Sequence, residues 1–151
     1  MADTRHQMFD RVLEEDVFDV VMVGFNLLNP SARARVLPVT RRRGIGTLIM
    51  FAVRRALTSP ARLREVLGTL SAKGGLPELE GEHSLDFLGD VRDAAYRFCA
   101  NEPGADVVLT GTGNVQHLEE NIKSLLAGPL STEQMQRLEH LFGRVDSVSG
   151  H

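Results

Sequence analysis

An α/β fold of three parallel strands with flanking helices is predicted by three short apolar runs, by the helical stripes between them and by turn residues at each junction. Residues 18–25 (FDVVMVGF) and 45–51 (IGTLIMF) are nearly continuous in apolar residues, and 107–110 (VVLT) is rich in β-branched ones. Uninterrupted apolar runs mark strands covered on both faces, as in parallel sheets. Strands alternating with helices connect as βα units. Three of them leave both sheet edges open, and no barrel of eight closes on them.

The elements follow in order. Thr4 and Gln7 stand at capping-box spacing ahead of Met8, Phe9, Val12 and Leu13, one apolar face of a helix to about Glu15. After the first strand, Asn29 and Pro30 stop the chain. Ser31 is placed to cap a helix to about Arg42, which Pro38 kinks or restarts. Gly44 closes it, with Arg41, Arg42 and Arg43 set against its C-terminal dipole. Past the second strand, Ser59 and Pro60 form an N-cap and first position for a stripe of Leu63, Val66, Leu67 and Leu70 that ends near Gly74 and Gly75. Residues 52–83, with a loop from Leu76 to His83, read as an insertion between the second strand and its helix. Leu85, Leu88, Val91, Ala95 and Phe98 then place a helix over 84–100. Beyond the third strand, Leu118, Ile122, Leu125 and Leu126 form the apolar positions of a helix to about Ala127. Leu130 and Met135 flank a Ser131–Gln134 capping box that opens a last helix over 132–142, and residues 143–151 are expected to be a flexible tail.

The stretch that carries chemistry is residues 107–121, VVLTGTGNVQHLEEN. A strand breaks at Gly111, Thr112 and Gly113 and passes through Asn114 into a helix. A helix N-terminus presents backbone N–H groups and a positive dipole end, and glycines let a ligand approach the backbone, so the place suits a phosphate. The same residues also serve a plain structural purpose, with Asn114 as N-cap and the glycines making the turn. The residues by themselves leave both readings open.

Composition narrows the function. The 151 residues are 42% hydrophobic and 25% charged, with formal charge −3, so nothing electrostatic points to nucleic acid. No apolar run approaches a membrane span and the N-terminus lacks signal-peptide architecture. Cys99 is the one cysteine, which excludes an intramolecular disulfide and thiolate metal clusters and suits a reducing compartment. The expectation is a cytoplasmic protein. Among the histidines, His6, His83, His140 and His151 show no metal spacing.

The stretch at 107–121 resembles the last strand, loop and helix of the aldo-keto reductases on Gly111, Thr112, His117, Leu118, Glu120 and Asn121. FDVVMVGFNLLNPSAR looks like the family's sixth strand and its loop, and RRRGIGTLIMF like the end of the sixth helix and the seventh strand. The resemblance implies an incomplete TIM (β/α)8 barrel, the C-terminal half, occupying residues 1–151 as one partial-barrel domain. It implies a site for the adenosine and 2′-phosphate of NADP (NADPH), with NAD as an alternative, on Gly111, Thr112, Gly113, Asn114, His117, Glu120 and Asn121. Thr112 would meet the 2′-phosphate, and Glu120 and Asn121 the adenine. Gly111 stands where many members have Lys, and His117 where many have Arg. A neutral imidazole supplies neither a permanent charge nor a bidentate fork.

The resemblance also implies an omission, because the family's catalytic Asp, Tyr, Lys and His lie in the first half of the barrel. Carbonyl reduction needs a proton donor beside the nascent alkoxide. Tyr96 is the single tyrosine, mid-helix, and the lysines are Lys73 and Lys123, neither at the end of a strand. Met22 stands where members commonly hold the nicotinamide carboxamide with Gln, and Met50 where an aromatic stacks on the ring; Phe51 is adjacent. Both methionines also read as plain core residues. No catalytic residue is therefore expected in this chain. Its expected partners are a nicotinamide dinucleotide and either a missing N-terminal half-barrel or a homodimeric copy.

Overall fold

The computed structural model describes residues 7–15, 17–77 and 85–146. Thr4 of the expected capping box, Ser84, residues 147–151 of the expected tail, and His6, His83 and His151 lie outside the described residues. The order is α1 (Gln7–Glu14), β1 (Val20–Gly24), α2 (Ala32–Arg35), α3 (Leu37–Arg43), β2 (Gly46–Met50), α4 (Arg55–Thr58) and α5 (Pro60–Ala72). A 3-10 turn (Asp86–Leu88), α6 (Val91–Ala100), β3 (Val107–Val108), α7 (Val115–Leu126) and α8 (Thr132–Phe142) follow.

The strands form one parallel sheet in the order β1-β2-β3. Val20 pairs with Gly46 and Met22 with Leu48, while Leu48 pairs in turn with Val107. In-register parallel partners point the same way, so two faces can be read off directly. Val21, Val23, Thr47 and Ile49 are buried in the helix-covered core, where α3 packs on β2 and α6 on β3. Val20, Met22 and Val107 point the other way and are 52%, 41% and 49% exposed. The expectation of strands covered on both faces thus holds in part: on the second face Met50, the partner of Gly24, is buried and Met8, Phe9 and Val12 of α1 line a groove with Val20 and Met22, while Val20, Met22 and Val107 stay about half exposed.

Local chemistry explains the helix boundaries. Pro38 has no N–H to give an interior turn and its ring would press on the preceding one, so a single helix over 31–42 is replaced by two, with Val36 between them and Pro38 in the first turn of α3. Ser31 already has helical dihedrals, and its hydroxyl bonds back to Asn29 Oδ1 at 2.7 Å rather than capping forward. Gly44 ends α3 at φ 68°, left-handed, its N–H meeting the carbonyls of Thr40 and Arg41. The expected helix over 84–100 begins at Val91 instead, because Gly89 turns at φ 72° and Asp90 caps the N–H groups of Arg92 and Asp93. Ser59 caps α5, and the Ser131–Gln134 capping box opens α8 as expected.

Two polar ties join distant elements. Arg33 donates twice to Glu102, at 2.8 and 2.6 Å, and once to Glu139 at 2.7 Å, with its guanidinium over the Phe98 ring, so α2 is fastened to the end of α6 and to α8. Asp106 accepts from the Thr47 N–H at 2.8 Å and returns its own N–H to the Thr47 hydroxyl at 3.1 Å, clipping β3 to β2. Val145, within the expected tail, is 3% exposed and part of the core.

Helix α7 departs most from expectation. Its buried residues are Asn121 and Ser124. Leu118, Ile122 and Leu126 are 41%, 46% and 83% exposed, although helical periodicity places them on the inward stripe.

Candidate functional site

The C-terminal ends of parallel strands are where open and closed α/β sheets collect ligands. At that end of β3 the chain runs through Leu109 and Thr110 into the loop of residues 111–114. Gly111, Thr112, Gly113 and Asn114 are all exposed. Neither glycine is left-handed, and a Cβ built on either would meet nothing within 4 Å. The turn itself therefore does not require glycine, and the space above both residues is open.

The side chains of the loop organise the start of α7. Asn114 Oδ1 accepts from the N–H groups of Gln116 at 2.8 Å and His117 at 3.2 Å, which is N-capping in the ordinary sense. Thr112 Oγ1 accepts from the Asn114 N–H at 3.1 Å, which leaves its hydroxyl hydrogen to donate outward. His117 sits in the exposed first turn.

Glu120 and Asn121 are held from inside the fold. Asn121 is 5% exposed and its Nδ2 donates to Thr110 Oγ1 at 2.8 Å. The same hydroxyl meets the Tyr96 hydroxyl at 2.8 Å, so α6, the end of β3 and α7 converge on Thr110. Glu120 accepts from Arg92 Nη2 at 2.6 Å, with its side chain 42% exposed. Arg92 also walls a cleft of about 430 Å³ between the α4–α5 turn and the start of α6. The sequence reading missed Thr110 and Arg92, and it set Tyr96 mid-helix away from any strand end, whereas the Tyr96 hydroxyl reaches the end of β3. Only the adjacency of Thr110 to Gly111 could have pointed to the first, and no periodic signal marks the other two.

Beside this loop, at the same end of β2, Phe51 takes φ 68°, a left-handed conformation that costs a non-glycine residue about 1–3 kcal/mol. The Arg54 guanidinium lies 3.5 Å from the centroid of its ring, and burial lowers the pKa of that guanidinium. Met50 is buried at 6% exposure, while Met22 lies on the open face of the sheet. Tyr96 is 5% exposed and committed to Thr110. Among the described residues no cluster of three or more His, Cys, Asp or Glu is placed to hold a metal, and no helix is long and apolar enough to cross a membrane.

No family model and no curated protein matches the sequence. Solved structures do match it. An aldo-keto reductase from Bacillus halodurans, in its holo form, superposes with a TM-score of 0.63 at 16% identity, over 91% of this chain and 47% of that one. The fold is that of part of an aldo-keto reductase. The apo form of the same protein gives the same TM-score over 48% of its length. A thermostable aldo-keto reductase in complex with the inhibitor epalrestat matches at a TM-score of 0.52 and 20% identity, over 80% of this chain and 38% of that one. The chain spans less than half the length of these aldo-keto reductases, and at such identities the likeness is one of fold.

Proposed function

We propose that this chain is the C-terminal, coenzyme-binding part of an aldo-keto-reductase-like oxidoreductase, holding the adenosine and 2′-phosphate end of NADP(H) and leaving catalysis to a half it does not contain. The carrying observation is the loop of residues 111–114, which opens into free space between a strand C-terminus and a helix N-terminus. An anion fits there on three grounds: the free hydroxyl hydrogen of Thr112, the dipole of α7, and the room above Gly111 and Gly113. Glu120 and Asn121, held by Arg92 and Thr110, present their remaining acceptor oxygens to an adenine amine. When bound, the coenzyme supplies the hydride.

Selectivity for the 2′-phosphate is weak in this reading, since position 111 is glycine and position 117 is a histidine; NAD is the alternative ligand. The single buried Cys99 supports a reducing, cytoplasmic setting. Carbonyl reduction needs a proton donor beside the nascent alkoxide, and this reading assigns that donor to the other half of the barrel.

The test is calorimetric titration with 2′,5′-ADP and 5′-AMP. Binding of 2′,5′-ADP below about 1 mM that weakens on Thr112→Ala is expected; no binding at that concentration removes the coenzyme site. Turnover of an aldehyde with NADPH by the chain by itself would remove the division of labour.

A second reading is favoured by the half-exposed sheet face: a non-catalytic half-barrel module that docks on a separate N-terminal half or on another copy through its open strands.

A further inference from the structure

Among the described residues, Phe51 is the one non-glycine residue with a positive φ, and it stands where β2 gives way to the chain leading into α4. A glycine would make the same turn without strain, so a ring held at φ 68° has a use only if it does something a glycine cannot. What the ring touches is a cation. The Arg54 guanidinium lies 3.5 Å from the ring centroid, close enough that its flat face is fixed on the aromatic face. Both residues are half-buried, and the water lost by the guanidinium shows in its lowered pKa. Stacking engages the face of a guanidinium, whereas phosphate oxygens meet the N–H fork in its plane, so one arginine serves both.

Register sets this pair beside the glycine loop. Ile49 pairs with Val108, and the Leu109 N–H donates to the Ile49 carbonyl at 2.8 Å, so Phe51 and Thr110 come off their strands level with each other. Adjacent strands lie about 4.8 Å apart, and the chain segments 51–54 and 111–114 therefore leave the same end of the sheet as neighbours. The 2′-phosphate and the 5′-diphosphate of a coenzyme such as NADP are carried by one and the same ribose. Placing the first over 111–114 brings the second within reach of the neighbouring segment.

We propose that Arg54 meets the 5′-diphosphate of the coenzyme, and that Phe51 is the positioning residue that holds the guanidinium ready at the end of β2. The proposal rests on the coenzyme reading above and adds to it a permanent positive charge, which residues 111–121 lack. It also assigns the Phe51 ring to Arg54 rather than to a nicotinamide, since one face of the ring is already covered. An arginine side chain loses rotamer freedom when it grips a ligand. Fixed beforehand on the ring, Arg54 loses less of it at the moment of binding, which is the counterpart of the strain at Phe51.

Calorimetric titration of the whole chain with 5′-ADP and 5′-AMP tests this, because the two differ by one phosphate. The wild-type chain should bind 5′-ADP about tenfold more tightly than 5′-AMP. Arg54→Ala should erase that gap. Phe51→Leu, which keeps an apolar side chain and removes the ring face, should narrow it to about threefold. Arg41→Ala removes the same charge from the exposed end of α3, ahead of the opposite end of β2, and should leave the gap unchanged. Equal affinity of the wild-type chain for the two nucleotides, a gap that survives Arg54→Ala or Phe51→Leu, or a gap lost just as fully in Arg41→Ala would each overturn the proposal. Its failure and that of the coenzyme reading look different. If 2′,5′-ADP binds and weakens on Thr112→Ala while 5′-ADP and 5′-AMP bind alike, only the role of Arg54 is lost; if none of the three nucleotides binds up to about 1 mM, both are lost.

Discussion

Asn121, buried in α7, donates its side-chain amide to the hydroxyl of Thr110 at the end of β3, at 2.8 Å. Eleven residues apart in sequence, the two set the angle at which the helix leaves the strand, and Tyr96 braces the same hydroxyl from α6. Thr110→Val keeps the shape and removes both partners' hydrogen bond. It should lower stability by about 1–3 kcal/mol, read as a shift in the urea midpoint at unchanged slope. An unmoved midpoint means that the convergence on Thr110 is not made in solution.

Thr112 is exposed and bonds only within its loop. Thr112→Ala should therefore leave the melting temperature in place while weakening 2′,5′-ADP about tenfold, the worth of one charge-assisted hydrogen bond. Affinity for 5′-AMP, which lacks the 2′-phosphate, should stay the same. Equal losses for both nucleotides would place the 2′-phosphate elsewhere.

Asn114 separates capping from binding. Asn114→Ala strips the cap from Gln116 and His117 and should cost about 1 kcal/mol. Asn114→Asp keeps the cap and adds a negative charge at the mouth of the loop, so stability should hold while phosphate-bearing nucleotides bind less well. Calorimetry and thermal denaturation on the same pair of variants check both halves.

The Arg33–Glu102 pair is a structural tie, with Glu102 8% exposed. Its hydrogen bond to Glu102 raises the pKa of Arg33 above the usual guanidinium value against the opposing effect of burial. A raised cation contributes stability that is complete below its unfolded value and is lost only as pH climbs through the folded one. This side of the pair therefore adds a constant amount across the neutral range. Glu102→Gln leaves the guanidinium with Glu139 as its remaining carboxylate partner here and should destabilise by about 2–3 kcal/mol, measured by denaturant unfolding.

Cys99 is fully buried, and burial raises its thiol pKa well above the usual range. A disulfide reagent should label the native chain slowly and the urea-unfolded chain rapidly. Fast native labelling would show that α6 opens readily.

Much of the architecture was legible because it is local. The Ser131–Gln134 box, the left-handed Gly44 and the Ser59–Pro60 start are each decided by a few adjacent residues, and they set the start of α8, the end of α3 and the start of α5. The strand-loop-helix at 107–126 was legible for the same reason, although β3 itself is only two residues long. Asn114 proved to be the cap that the plain structural reading expected, whereas Gly111 and Gly113 lack the positive φ that reading would need.

The amino-acid sequence by itself determined the order of the three strands and the longer helices and the position of the glycine loop after the last strand, since turn chemistry and periodicity act over a few residues, while short α4 and the division of α2 from α3 appear only in the structure. Only the tertiary structure decided which side of each run is covered, that Asn121 and Ser124 of α7 lie inward while Ile122 and Leu126 face out, and that Arg92 finds Glu120. Periodicity records where apolar side chains stand, not what packs against them. Pairs far apart in sequence meet only once the helices have settled on the sheet.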